Sequence, residues 1–572
     1  MTASKPKRRD GWLLWAGTFL LFASIAHGSF ETTDAAFTTH AARALLHRGD
    51  SALLTHEEGA VLASESAGAM DIKFSEAANH RRNGKVGLNG HAYVWFPMGH
   101  VYGLVPFVAL GEAVGALLPD ADERLAARTT SYPRCALEAQ PVAVQATICL
   151  LVPALCLATS LLLVFRIARE LGAGSRDAVH SALVVGFATQ AFALGREQLS
   201  DGPGLVLLLA MLLPFVRLHL GRATRWTALL AGAAAGAAVL MRYQTALVVL
   251  ALAVALAARG VRRRDPRELL GFIAGGLPAL AVFVTTNYLR FGDPLETGYP
   301  EIGAWFTASP LPGLAKLLFG AGRGVMWFSP LLWLALPAAL ASRSRVKLRW
   351  LAWFLFATPL LVFMFAQGWQ GGRCWAARYV TGGVVGMLAL TLPQTAPWRT
   401  SPRLWFVLVL AGIVVNLTSV VAPTRGQLQL ASQAVSARDA HAVAAGHLAP
   451  DAVTIDYADL AGWHPRYTPL VTNWSYLARS LSDGFEDQRG APRHGSVNAL
   501  EPIYGVTATT PRQAQVPAHW VDRSGRHLWW RMWGDLYGVP GWLMWLPIWT
   551  IGLLGVVLGW RRLRRDDDPA PT

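Results

Sequence analysis

Long apolar runs recur along nearly the whole chain, and they constrain its fold more than any other feature. A helix of about 20 apolar residues is long enough to cross the hydrocarbon core of a bilayer. Only 15% of the residues are charged, whereas soluble proteins have about 25%. The sequence therefore predicts an all-α polytopic membrane domain with about 12 transmembrane helices. The predicted spans lie near 11–28, 141–165, 178–194, 202–219, 227–241, 244–258, 270–288, 326–342, 350–367, 378–395, 403–424 and 536–560.

The net charge of +15 comes largely from Lys and Arg residues in short loops between these apolar runs. Because Lys and Arg resist translocation, such loops stay on the cytoplasmic side. This distribution argues against a nucleic-acid-binding protein and predicts a multi-pass protein of the cytoplasmic (inner) membrane with both termini inside. The basic clusters lie at 5–9, 166–176, 217–225, 259–267, 343–349 and 561–565.

A further apolar run at 97–118 is ambiguous. If it crossed the bilayer, the basic clusters at 262–267 and 343–349 would lie outside, against the charge rule. We therefore expect this run to form a helix that lies in the outer leaflet or dips into it.

Three stretches are too polar to be buried in lipid and are expected outside: 29–96, 289–325 and 425–535. The first includes an amphipathic pattern after the first span, in which Phe37, Ala41 and Leu45 share one helical face, so it predicts a juxtamembrane helix. The predicted organisation is therefore as follows. A cytoplasmic basic tail (1–10) precedes a transmembrane catalytic domain (11–424) whose first extracytoplasmic loop is 29–96, and an extracytoplasmic region (425–535), a last transmembrane helix (536–560) and a cytoplasmic tail (561–572) follow.

The predicted spans contain almost no carboxylates, which ion-coupled carriers usually need near mid-membrane. Charged residues of both signs gather instead at the outer ends of the spans. Such groups suit an amphiphile whose phosphate lies at headgroup depth. Snorkelling of single Arg side chains at the interface is the simpler alternative. The four cysteines show no metal-ligand spacing.

Several segments resemble the GT-C superfamily of membrane glycosyltransferases, which includes protein O-mannosyltransferases and the aminoarabinose transferase of lipid A. The resemblance covers residues 11–395, and no single segment carries it alone. The segments are Thr33-Asp34-Ala35 with the helix and Gly49-Asp50 turn after it, Tyr93–Gly99 leading to Pro106, the glycine-rich 231–240 ending in Met241-Arg242, Asn287–Tyr299, Gly322–Pro330 and Gly368–Tyr379.

The resemblance implies transfer of a sugar from a polyprenyl-phosphate-linked donor to a lipid, glycan or protein acceptor at the outer face. It also favours an uncleaved N-terminal anchor, because cleavage after Ala26 would detach Asp34 from its membrane helix. Asp34 would act as the general base, although an acidic residue at this position could instead cap the helix.

Positive charge near the leaving phosphate would come from Arg378, Arg242 and Arg323. Asp201 and Glu31 would orient the acceptor or a cation, and Asp201 could equally be a helix cap. Many family members have a second acidic residue beside the first-loop aspartate, whereas Ala35 and Ala36 follow Asp34 here. No cofactor is certain for that reason, and a divalent cation stays possible.

The same residues allow two other interpretations of the function. A non-catalytic lipid transporter or scaffold would hold a lipid headgroup with the same outer cations. A polysaccharide polymerase or ligase would also use lipid-linked substrates, with its key residues in a large late loop such as 425–535.

Overall fold

The computed structural model describes residues 10–30, 32–54, 80–81, 84–128, 140–299, 303, 306–341, 346–366, 368–369, 371, 374–421, 444–446, 468–471, 473–474 and 528–565. Each predicted span coincides with one helix or with two consecutive helices, which makes the chain a helical multi-pass membrane protein. The helices are α1 (Asp10–Ser24), α2 (Thr33–Arg48), α3 (Met98–Leu117), α4 (Ala121–Arg128), α5 (Val142–Glu170), α6 (Ser175–Phe187), α7 (Ala191–Leu194), α8 (Asp201–His219), α9 (Thr227–Met241), α10 (Ala246–Arg263), α11 (Arg267–Phe291), α12 (Pro310–Phe319), α13 (Val325–Phe328), α14 (Leu332–Ala341), α15 (Arg349–Phe363), α16 (Thr381–Thr395), α17 (Pro397–Thr400), α18 (Pro402–Val421), α19 (Trp529–Tyr537) and α20 (Gly541–Arg565).

In the described part of the chain, seven helices are long and apolar enough to cross a membrane by length and composition. They are α3, α5, α8, α11, α18, α20 and α10 with the short turn before it. The expected total of about 12 spans therefore stays a prediction. Helix α3 packs along α5, where Val101, Leu104 and Val108 share a buried cluster with Val144 and Ile148. Its length suits crossing as well as lying in the outer leaflet, so the expectation for 97–118 also stays a prediction.

The loop after α1 contains the expected juxtamembrane helix, α2, and a small antiparallel sheet that the sequence did not predict. Its strands are β1 (Ala52–Leu54), β2 (His80–Arg81), β3 (Gly84–Val86) and β4 (Ala92–Val94), in the order β1-β4-β3-β2. The Lys85 ammonium lies 2.7 Å from the Glu296 carboxylate, and Arg290 donates to the Val94 carbonyl. The loops 29–96 and 289–325 therefore meet on one side of the helices.

Charged side chains form two layers at opposite ends of α8. Arg217, near its C-terminal end, lies 2.7 Å from Glu170 at the end of α5, and Arg222 lies 3.4 Å from the same carboxylate. Asp201 opens the helix, roughly 24 Å away at 1.5 Å per residue. The Arg217 end belongs to the basic loops, so the polar group around Asp201 lies at the other end of the bundle.

The C-terminal helix α20 packs closely against α1 through glycines. A Cβ atom on Gly17 would come within 2.4 Å of the Val556 nitrogen, and a Cβ on Gly555 within 2.9 Å of the Gly17 Cα. Small residues allow helix backbones to approach this closely in a membrane. The last helix thus buttresses the helix that leads into α2. Most of the predicted extracytoplasmic region 425–535 lies outside the described residues.

Candidate functional site

Four charged side chains from widely separated parts of the chain meet at one place. One guanidinium nitrogen of Arg378 lies 3.2 Å from the Asp34 carboxylate, and its other terminal nitrogen lies 4.0 Å from the Asp201 carboxylate. Arg242 forms an ion pair with Asp201. Asp34 and Arg378 are 344 residues apart in sequence. The structure therefore brings together four of the predicted site residues.

Each of these four residues stands where a helix begins or ends. Asp34 is in the first turn of α2, and Asp201 is the first residue of α8. Arg242 follows the end of α9, and Arg378 lies in a short 3-10 turn before α16. Carboxylates are favoured at helix N-termini because the backbone N–H groups there are unpaired. The ends of these helices therefore place the four charged side chains together.

The N-cap of α2 is Thr32, not Asp34. The Thr32 hydroxyl accepts a hydrogen bond of 3.2 Å from the Ala35 N–H, and the Asp34 carboxylate points to Arg378 instead. Of the four charged side chains Asp34 is the most exposed, at 28%, whereas Asp201 is 5% exposed. Asp34 is therefore available to a ligand, while Asp201 is placed to hold the two guanidinium groups.

Tyr379 provides an aromatic surface between the two cations. The Arg378 guanidinium lies 5.1 Å from its ring centroid and that of Arg242 lies 5.7 Å away. The ring stacks on Phe363 with centroids 4.4 Å apart, and Gln244 donates to the Tyr379 carbonyl at 3.4 Å. Cation–π contacts of this kind hold guanidinium groups in a fixed orientation.

An open cleft leads away from these charges. Asp201, Arg242, Arg378 and Tyr379 line its polar end. Most of the rest of its wall is apolar and comes from α8, α10, α15 and α16, with Leu205, Leu208, Val248, Leu355 and Val362 among the lining residues. A cleft with a charged end and an apolar wall matches an amphiphile with a charged headgroup.

The contact that places Arg323 is with Cys374, whose sulfur accepts a hydrogen bond of 3.4 Å from the guanidinium. Burial raises the pKa of Cys374 to about 11, against the opposing effect of Arg323 and Arg378. The thiol is therefore neutral at physiological pH. Arg323 reaches the segment that precedes Arg378. Glu31, the other predicted acidic residue, lies outside the described residues.

In the part of the chain that the structure describes, no group of three or more His, Cys, Asp or Glu side chains is arranged to hold a metal ion. The two carboxylates of the site, Asp34 and Asp201, both face the Arg378 guanidinium. Among the described residues, these two carboxylates are therefore partners of a guanidinium.

Sequence reasoning missed two features of the site. The ring of Tyr379, which the sequence offers only as the end of the segment Gly368–Tyr379, contacts both cations. Glu197 lies between two predicted spans, and its carboxylate accepts a hydrogen bond of 2.6 Å from the Trp375 N–H, three residues before Arg378. Neither role has a signal in sequence, because both depend on contacts between distant segments.

Comparison with known proteins is consistent with this picture. Residues 142–288 match the family model described as dolichyl-phosphate-mannose-protein mannosyltransferase. These residues extend from α5 to α11 and include Asp201 and Arg242. No curated protein matches the chain. A crystal structure of ArnT from Cupriavidus metallidurans bound to undecaprenyl phosphate is similar at 13% identity and a TM-score of 0.43, covering 96% of this chain and 76% of that one. The family match over residues 142–288 agrees with the resemblance to GT-C membrane glycosyltransferases that the sequence shows.

Proposed function

We propose that the protein transfers a sugar from a polyprenyl-phosphate-linked donor to a lipid, glycan or protein acceptor at the outer face of the cytoplasmic membrane. The observation that carries this proposal is the cleft whose polar end contains Arg242, Arg378 and Asp201 and whose wall is mostly apolar. Asp34 lies beside this end, 3.2 Å from Arg378. A lipid phosphate needs both parts. The name of the matching family, which refers to a dolichyl-phosphate sugar, supports the same class of donor.

The proposed reaction is a direct displacement at the anomeric carbon of the donor sugar. The acceptor hydroxyl oxygen forms the new bond to that carbon while the bond from the carbon to the phosphate oxygen breaks. The phosphate leaves with the electron pair, and the hydroxyl proton passes to a base. Because the leaving group is a stable phosphate, positive charge near it and one base suffice.

Arg378 and Arg242 are the proposed partners of the leaving phosphate. Guanidinium groups offer paired donors that match phosphate oxygens, and the Tyr379 ring and Asp201 orient both of them. Arg323 is retained as a third predicted phosphate-binding residue. Its contact with Cys374 supports an action through the segment that carries Arg378.

Asp34 is the proposed general base, since it is the most exposed carboxylate of the site and lies beside Arg378. Because Asp34 lies 3.2 Å from Arg378, a donor phosphate bound by Arg378 would place the sugar near the Asp34 carboxylate, where an acceptor could enter from the outer side. Asp201 is proposed to orient the guanidinium groups of Arg242 and Arg378, and Glu31 is proposed to orient the acceptor.

The position of the site relative to the basic loops supports its assignment to the outer face. Asp201 and Arg217 lie at opposite ends of α8, and Arg217 begins the basic cluster 217–225, which is expected on the cytoplasmic side. The contact between Lys85 and Glu296 joins the two polar loops that precede and follow the middle spans. These loops and the site would share the outer side.

The test is incubation of the purified protein with a panel of polyprenyl-phosphate sugars and suitable acceptors, with donor consumption measured by mass spectrometry. We expect one donor to be consumed by the wild type and Asp34→Asn to lower its turnover by about 10²–10⁴-fold. Asp293→Asn is the control, because Asp293 is an exposed turn residue that accepts from the Leu295 N–H.

Unchanged turnover in Asp34→Asn would contradict the role of Asp34. Binding of the lipid without any donor consumption across the panel would favour the scaffold reading. Loss of activity on charge reversal within 425–535, with Asp34→Asn fully active, would favour the polymerase or ligase reading.

A further inference from the structure

The backbone that carries Arg378 takes a conformation that a residue with a side chain rarely adopts. Ala376 has a φ of 54°, in the left-handed region. Such residues persist where the surrounding structure holds them, and they concentrate at functional sites. Residues 374–377, which we call the 374–377 segment, lie directly before Arg378. What holds this segment therefore decides where the guanidinium points.

A buried carboxylate from another part of the chain holds one side of the segment. Glu197, in the turn between α7 and α8, accepts a hydrogen bond of 2.6 Å from the Trp375 N–H. Its side chain and that of Trp375 are both buried. An acceptor is needed here because a buried backbone N–H without a partner costs free energy. Glu197 thus fixes the residue next to the strained alanine.

The Trp375 side chain is held as well. Its indole N–H donates to the Asn416 amide oxygen at 3.2 Å, and its ring packs edge-on against Phe328 with centroids 5.2 Å apart. The other end of the segment contacts Gln190, whose amide donates to the Thr381 hydroxyl at 2.8 Å and to the Ala377 carbonyl at 3.4 Å. The segment is therefore clamped from both ends by buried polar groups.

We propose that Glu197 is a positioning residue for the transferase reaction, which clamps the 374–377 segment so that Arg378 reaches the donor phosphate. This inference rests on the proposed function of Arg378. Glu197 does not act on the substrate itself. Its carboxylate oxygen serves as a hydrogen-bond acceptor for the backbone, so the shape of the group matters more than its charge.

Two substitutions separate these roles. Glu197→Gln keeps an oxygen in place to accept from the Trp375 N–H, whereas Glu197→Ala removes it. For a positioning residue, we expect Glu197→Ala to lower kcat/KM for the donor by about 10- to 100-fold and Glu197→Gln to stay within a few-fold of the wild type. Glu170→Ala is the matched control, because Glu170 is a paired carboxylate at the opposite end of the helices.

Hydrogen–deuterium exchange of the peptide covering 371–380 gives a second measurement that needs no turnover. We expect the Trp375 amide to exchange faster in Glu197→Ala than in the wild type and at the wild-type rate in Glu197→Gln. Equal exchange in the wild type and Glu197→Ala would overturn the clamp. Equal loss of kcat/KM in Glu197→Gln and Glu197→Ala would overturn the positioning role and assign the effect to charge.

The two proposals fail in different ways. If the wild type consumes no donor at all, the proposed function fails while exchange still decides whether Glu197 clamps the segment. If the wild type is active and Glu197→Ala is as active as Glu170→Ala, the positioning role fails and the proposed function stands.

Discussion

At the scale of single residues, the site depends on a guanidinium that serves two carboxylates at once. Arg378 lies 3.2 Å from Asp34 and 4.0 Å from Asp201, with the Tyr379 ring beside it. A planar, forked group can do this, whereas an ammonium is a single point of charge on a flexible stem. The geometry of Arg378 should therefore matter as well as its charge.

Replacing Arg378 by Lys should lower kcat/KM for the donor by about 10- to 100-fold, because one or two charge-assisted hydrogen bonds are lost. Steady-state kinetics, with the donor that the wild-type protein consumes, measures this change in kcat/KM. Arg399→Lys is the control, since Arg399 pairs with Asp177 at 2.5 Å, away from the cleft. Wild-type kinetics in Arg378→Lys would show that only the positive charge is needed.

Gly371 leaves room for the Arg378 side chain. A Cβ atom there would lie 2.7 Å from the Arg378 Cγ, and Gly371 has a φ of 73°. Gly371→Ala should therefore displace the guanidinium and raise the donor KM by about tenfold or more. Gly221→Ala controls for the backbone cost alone, since Gly221 has a φ of 71° and no atom within 4 Å of such a Cβ. Equal kinetics in the two variants would contradict a displacement of Arg378.

Some of these residues could be predicted from the sequence, and others could not. Asp34 and Arg378 stand out because charged residues are rare within apolar runs and are favoured at the ends of such runs. Their contact across 344 residues has no local signal. The role of Glu197 was also hidden, because its partner is a backbone N–H group that any residue at position 375 except proline would supply.

At the scale of helices and strands, the predictions that rest on long patterns are confirmed. The amphipathic pattern after the first span predicted α2, and the apolar runs predicted the helices of the bundle. The sheet was missed because its strands are only two or three residues long. In addition, β1 pairs with β4, which lies in a distant part of the same loop. Strands this short show no readable alternation of apolar and polar residues.

The contact between α1 and α20 is the element-scale feature most open to a mutational test. Gly17→Val would place a side chain against the Val556 nitrogen, so the two helices must separate. We expect a lower melting temperature, by several degrees for a loss of about 2 kcal/mol, and reduced donor turnover because α1 leads into α2. Ala274→Val adds a similar volume at an exposed position of α11 and serves as control. Equal melting temperatures in the two variants would contradict close packing of α1 on α20.

At the scale of the whole molecule, the proposed reaction requires that the two ends of the helix bundle lie on opposite sides of the membrane. Basic loops paired with a few carboxylates lie at one end of the bundle, and the cleft opens near the other. The side of the membrane on which each end lies follows from the charge rule. It can be measured directly in cells.

Single cysteines at exposed positions of a cysteine-free background should report this orientation. We expect Leu295→Cys, near the sheet and 75% exposed, to react with a membrane-impermeant maleimide in intact cells. We expect Arg262→Cys, at an exposed position in the last turn of α10, to react only after permeabilisation. The reverse pattern would place the site in the cytoplasm and contradict the proposed access of an outer-face acceptor.

An experimental structure of the protein with a polyprenyl phosphate would test the phosphate site itself. We expect the phosphate to lie within about 3 Å of donor nitrogens of Arg378 and Arg242. We also expect the lipid chain to follow the apolar wall past Leu205, Leu208 and Leu355. Ordered lipid phosphate at the basic loops around Arg217, with Arg378 and Arg242 still paired only to Asp34 and Asp201, would contradict this site.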